Sequence, residues 1–252
     1  MQSAAPQLPL FADDHDEPGT TPGFSVRESA RAKRLSIKVF PRGRVEVVVP
    51  RRTPPAEVQA FVAENRDWIA NAKASFAEQY EVEPFALPLS VELNALGCTV
   101  RVQYQRRHDS TSVRYRYGNG VLTLSGRTGD EKRCVTAIRR WLSATAKEEL
   151  GKRLQALAAL TGMTYDRLQV RAQRSCWGSR SSSGTISLNL CLLFLEPPLV
   201  RYLMIHELCH GRHMDHSRRF WKLVSRFEPD YRRLDRELLE SWRNVPSWLG
   251  VY

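Results

Sequence analysis

The sequence predicts an α+β fold, on three observations. Short alternating or β-branched apolar segments crowd the first half of the chain, helix-periodic segments dominate the second, and a pair of strand-like segments lies between two of those helices. Taken in order, residues 1–23 are rich in Pro, Asp and Thr, lack periodic apolar positions, and read as a disordered tail. LSIKVF (Leu35–Phe40) and RVEVVVP (Arg44–Pro50), joined by PRG, read as a β-hairpin. Pro54 and Pro55 then open a helix running to Phe76, with Val58, Phe61, Val62, Trp68 and Ile69 at helical spacing.

Four strand candidates follow at Leu89–Leu93, Cys98–Tyr104, Ser112–Tyr117 and Gly120–Gly126, the last two linked by the turn sequence GNG. Asp130 to about Leu160 is a long amphipathic helix closed by Gly162. Arg167–Ala172 and Gly184–Leu190 read as strands flanking the polar turn RSCWGSRSSSG. Three helices complete the chain, Pro197 to Gly211, Ser217 to Arg226 and Pro229 to Trp242. The domain expectation is therefore a β-rich region with one helix over 24–128 and a second domain over 129–252.

Composition narrows the classes. A chain of 252 residues with 42% hydrophobic and 26% charged residues buries a substantial core and is not wholly disordered. Apolar runs such as LNLCLLFL (Leu188–Leu195) are too short to cross a bilayer, and the first Lys or Arg is Arg27, so no membrane partner and no basic targeting segment are expected. The five cysteines are odd in number, scattered and without a CxxC pair, which fits reduced thiols and a cytoplasmic setting. The net charge of +11 favours anionic partners such as nucleic acid or a nucleotide, although no single polybasic block stands out.

The chemistry concentrates in IHELCHGRHMDHSRRF (Ile205–Phe220), which holds four of the six histidines. His206 and His210 lie four apart, about 40° around a helix and about 6 Å along it, so both imidazoles reach one ion. Glu207 is turned about 100° from His206. It is placed to hydrogen-bond a water at that ion and to act as general base. A third ligand comes from His213 or His216. His213 would continue the stripe of an unbroken helix but lies roughly 10 Å beyond His206 along the axis. Gly211 lets the helix end and Ser217 is a suitable N-cap for the next one, so a chain that turns back carries His216 to the ion and leaves His213 outside the ligand set. Cys209 points away from the ligand stripe and reads as a small core residue. One Zn2+ per chain is expected, held by His206, His210 and His216.

From Cys176 to Arg233 the sequence resembles the YgjP-like metallopeptidases, catalogued as DUF45 and related to the SprT-like zincins. The matching string has WGS, SLN, HELxH, HS and FW in that order, and RAKRLSIKVFPRGRVEVVVPRRTPPAEVQAFVAENRDWI resembles the opening of those proteins. The resemblance implies a zincin-like domain, zinc on His206, His210 and His216, and Glu207 as general base. One departure is Arg180, where the family commonly has Cys after WGS; here a cysteine precedes the Trp, at Cys176.

Zincin-like folds also use an edge strand to hold extended substrate, and Thr185, Ile186, Ser187, Leu188 and Asn189 are the expected strand. Tyr202, one turn before His206, reads either as an oxyanion contact or as a buried structural tyrosine, whereas Trp177 and Trp221 are expected to pack. The leading function is a zinc-dependent metallopeptidase acting on polypeptide. The alternatives are a nucleoside triphosphate pyrophosphohydrolase using the same site, which no GxxxxGK[ST] cradle supports, and a DNA-associated protease of the SprT-like kind.

Overall fold

The computed structural model describes residues 20–21, 23–30, 32–39, 45–79, 85–107, 110–173 and 176–249. The expected tail, apart from its last few residues, and the PRG turn lie outside the described residues. The chain divides into two compact units, Met1–Pro84 with Tyr252, and Phe85–Val251. The second unit holds both the four strands after Leu89 and the long helix that follows them, which packs on the third of those strands.

The first unit is a four-stranded sheet with two helices. β1 (Thr20–Thr21) falls inside the stretch expected as tail and pairs with β2 (Phe24–Glu28). β3 (Ser36–Val39) and β4 (Val45–Val49) form the expected antiparallel pair, and β2 runs parallel to β4, giving the order β1-β2-β4-β3. The single helix expected from Pro55 is two, α1 (Pro55–Glu64) and α2 (Arg66–Gln79). Asn65 breaks the run by turning its side chain back onto the Phe61 carbonyl at 2.8 Å, which competes with the helical ladder. Val58 packs with Val47 and Val49 into the core of this unit.

In the second unit β5 (Ser90–Leu93), β6 (Cys98–Arg106), β7 (Val113–Gly118) and β8 (Val121–Gly126) form a mixed sheet ordered β5-β6-β8-β7. Asn119 and Gly120 both take positive φ, 50° and 71°, as the tight turn between right-twisted strands requires. α3 (Glu131–Thr161) starts where the Asp130 carboxylate accepts from the Arg133 backbone N–H. Ile138, Leu142, Leu150 and Leu154 of its apolar stripe are wholly buried, each such side chain contributing about 1.5–3 kcal/mol, while Leu160 at its end is exposed.

β9 (Arg167–Arg171), β10 (Gly178–Arg180) and β11 (Thr185–Asn189) make a second sheet in the order β10-β11-β9. β10 lies inside the stretch expected as a polar turn. Three helices follow, α4 (Pro197–Cys209), α5 (Arg218–Phe227) and α6 (Tyr231–Glu240), with α4 packed against β10, α5 and α6. The five cysteines form no disulfide, and among the described residues no helix is long and apolar enough to cross a membrane.

Candidate metal centre

α4 is made to be buried on all sides. Pro197 and Pro198 occupy its first turn, where a missing N–H costs nothing, and every residue from Tyr202 to Cys209 is buried. His206, Glu207 and His210 are 3%, 0% and 2% exposed. Burial of polar groups on this scale is unfavourable unless each is paired, so their partners decide what the site is.

The helix ends at His210, and the Gly211 N–H returns to the Leu208 carbonyl at 2.9 Å. The chain then turns so that exposed His216 comes back over the helix end, just before Ser217 begins α5. The ligating nitrogens of His206, His210 and His216 all lie within 4.8 Å of one another. His206 Nε2 is 3.2 Å from His210 Nε2 and 3.1 Å from His216 Nε2. His213 contributes its carbonyl rather than its ring, accepting from His210 Nδ1 at 3.0 Å. Phe220 stacks on His210, with ring centroids 4.5 Å apart, and Trp221 stacks on His216 at 5.6 Å.

The donor set fits a cation. His210 Nδ1 carries its proton toward the His213 carbonyl, which leaves Nε2 as a bare lone pair facing the other two rings. Burial holds all three imidazoles below their ordinary pKa, His210 down to about 4, so they stay neutral as metal ligands must. Converging lone pairs repel unless a positive ion lies among them. His ligands in this number are the usual set for zinc in a catalytic site, where a fourth position stays open.

Glu207 follows His206 on α4 and lies against Gly178 of β10. Both of its carboxylate oxygens are buried with no hydrogen-bond partner among the described residues, and burial pushes its pKa up to about 8 against the opposing pull of Arg180. Room for the carboxylate comes from Gly178 on β10, since a Cβ there would meet Glu207 Oε1 at 3.0 Å. A buried carboxylate without a partner, on the helix that carries two of three converging imidazoles, calls for water or a cation.

A family model described as "YgjP-like, metallopeptidase domain" matches residues 33–241. The chain belongs to the YgjP-like family. With the three-histidine cluster in place, this YgjP-like chain is a zinc-dependent metallopeptidase whose site is built on His206-Glu207-x-x-His210 and His216. Two solved structures are similar over 38% of the chain and 99% of their own, each with a TM-score of 0.34. They are the metallopeptidase zymogens abylysin of Pyrococcus abyssi, at 26% identity, and jannalysin of Methanocaldococcus jannaschii, at 14%. No curated protein matches.

Thr185–Asn189 and Tyr202, the expected substrate contacts, are both engaged within the protein. Thr185–Asn189 is the central strand of its sheet, paired to β10 on one side and β9 on the other, so it has no free edge for a peptide. Its side chains are core: Ile186 and Leu188 are fully buried. Asn189 Nδ2 donates to the Gln173 and Cys176 carbonyls, and its Oδ1 accepts from the Cys191 N–H. Tyr202 is 0% exposed, and its hydroxyl donates to Asp235 Oδ1 at 2.7 Å, so its proton is committed away from any substrate. Trp177 packs as expected, stacked on Trp242 with its indole N–H on the Leu238 carbonyl.

Residues that sequence reasoning missed are Gly178, Arg180 as a neighbour of the site, and Asp235. Asp235 carried a signal, because it occupies an apolar-stripe position of α6 between Leu234 and Leu238, where a carboxylate needs a buried partner.

Proposed function

We propose that Glu207 is the general base of peptide hydrolysis, that the outer edge of β10 aligns the substrate, and that the substrate is an extended or unfolded polypeptide. The observation that carries this reading is the buried, unpartnered Glu207 carboxylate on the same helix as His206, whose ring meets those of His210 and His216. His206, His210 and His216 would hold zinc, which when bound acidifies water and polarises a carbonyl oxygen. Glu207 takes the proton of the attacking water and delivers it to the leaving amine. Gly178 keeps the carboxylate in reach by leaving the space a side chain would fill.

Hydrogen-bond alternation along β10 identifies the edge. Asn189 N–H bonds the Trp177 carbonyl and Ser181 N–H bonds the Thr185 carbonyl, so Trp177, Ser179 and Ser181 turn their backbone groups toward β11. Gly178 and Arg180 therefore turn theirs outward, and among the described residues no strand pairs with that side. A peptide added there would gain backbone hydrogen bonds with little demand on its sequence. The substrate-strand role thus moves from β11 to β10.

A nucleic-acid partner is a second part of the reading, and α5 supports it. Arg218, Arg219, Lys222 and Arg226 fall within about a 100° arc opposite buried Phe220 and Val224, all are exposed, and α5 contains no acidic residue. The apolar face of α5 is spent on the core, which disfavours insertion into a membrane surface. Replacing the four cations by Gln should flatten the salt dependence of oligonucleotide binding, by about 0.9 in log–log slope for each duplex phosphate that is no longer neutralised.

The test of substrate class is hydrolysis of a reduced, unfolded protein and of a nucleoside triphosphate by the same zinc-loaded chain. Cleaved peptide without pyrophosphate release is the expected result. Pyrophosphate release without cleaved peptide would overturn the peptidase assignment and move the chemistry to phosphorus.

A further inference from the structure

His206 is deeply buried, yet the hydrogen-bond partner of its second ring nitrogen is not a backbone group. Its Nδ1 faces the Tyr202 hydroxyl at 3.5 Å, the oxygen of a residue one turn earlier on α4. That hydroxyl has one proton and gives it to Asp235 Oδ1 on α6, 2.7 Å away. Having donated to the carboxylate, the phenol oxygen faces the histidine only as an acceptor. His206 must then carry its own proton on Nδ1, and Nε2, the atom facing His210 and His216, is left as a lone pair.

We infer that Asp235, acting through Tyr202, is the positioning residue that fixes the tautomer and orientation of His206 for metal binding. The inference rests on the zinc-site reading given above and adds a residue that the HExxH spacing does not contain. The contrast with His210 supports it. That ring is set by the His213 carbonyl, an acceptor that cannot reverse its role, so its tautomer is fixed by backbone alone. For His206 the acceptor is a hydroxyl, which could equally donate. Only the Asp235 carboxylate, an acceptor with no proton to give, decides the direction of the chain.

The arrangement also explains where α6 sits. Leu234 and Leu238 bury the helix against the core, and Asp235 beside them meets the Tyr202 hydroxyl of α4. Tyr202 is fully buried and edge-on to His206, with ring centroids 6.0 Å apart, so the hydroxyl and the ring pack against each other.

The experiment is zinc competition against a chromophoric chelator on the full chain, comparing wild type, Tyr202→Phe, Asp235→Ala and the double variant. Each single variant should bind zinc about 10- to 100-fold more weakly, the range for removing such outer partners. The double variant should be no weaker than the worse single one, because both break one chain. Histidine nitrogen shifts of the metal-free protein supply a second readout. His206 should be the Nδ1–H tautomer in wild type and move toward Nε2–H in Asp235→Ala.

Single variants with wild-type zinc affinity, or losses that multiply in the double variant, would overturn the inference. If Asp235→Ala does not fold, Tyr202→Phe decides alone, since it keeps the ring and removes only the hydroxyl. Failure of wild type to bind zinc would instead overturn the metal-site reading beneath it.

Discussion

Two ligands on α4 and one on the turn after it reach the same point by different physics. His206 and His210 are buried within a helix whose every neighbour is packed, and each has its second ring nitrogen set by an acceptor behind it. His216 is exposed, sits on the turn before α5, and is held by stacking against Trp221, which in turn stacks on Tyr231 at 5.1 Å. The difference divides labour within the centre. The helix supplies a rigid half-site, and the turn supplies a ligand whose position depends on aromatic packing worth about 0.5–1.5 kcal/mol per pair.

The variants that probe this division rank from large to small effect. His206→Ala removes the ring at the centre of the cluster, so zinc and proteolysis should both fall to background, as measured by metal analysis and peptide release. His216→Ala leaves the half-site on α4 intact. It should weaken zinc and abolish turnover at limiting metal, but lose less affinity than His206→Ala in chelator competition. An equal loss from both would break the comparison.

Gly178→Ala tests the carboxylate's room rather than the ligands. Its Cβ would crowd Glu207 Oε1 at 3.0 Å, and a displaced base should lower kcat by up to about 10²-fold with zinc content unchanged. Trp221→Ala should cost about 10-fold or less in zinc affinity, through a looser His216, and should also lower the melting temperature of the metal-free chain, because its stack on Tyr231 is lost with it. Zinc at a hundred times its Kd should add about 2.7 kcal/mol to stability in wild type, and a chelator should remove it.

Much of this was legible in residue spacing. The i, i+4 histidines and Gly211 mark the ligand helix and its end, and Ser217 marks the next start, so three metal-ligating rings converge where the pattern placed them. Helix α3 was legible for the same reason, since ten buried positions recur along it and Gly162 closes it with a φ of 67°.

What spacing does not encode is pairing. GSR (Gly178–Arg180) is too short and polar to announce a strand, yet its bonds to β11 convert the expected edge strand into an interior one. Tyr202 and Asp235 are 33 residues apart, and their hydrogen bond arises only when α6 folds onto α4. Asn65 splits the first helix by a side-chain bond that apolar periodicity cannot show.

The central claim is that the three histidines hold the metal while Glu207 moves the proton, and Glu207→Gln separates the two roles most directly. Zinc content and release of peptides from an unfolded protein are measured on matched preparations of wild type and variant. One zinc per chain is predicted in both, with peptide release in the variant lower by about 10²- to 10⁴-fold. A variant that retains zinc and cleaves at the wild-type rate would contradict that division of roles.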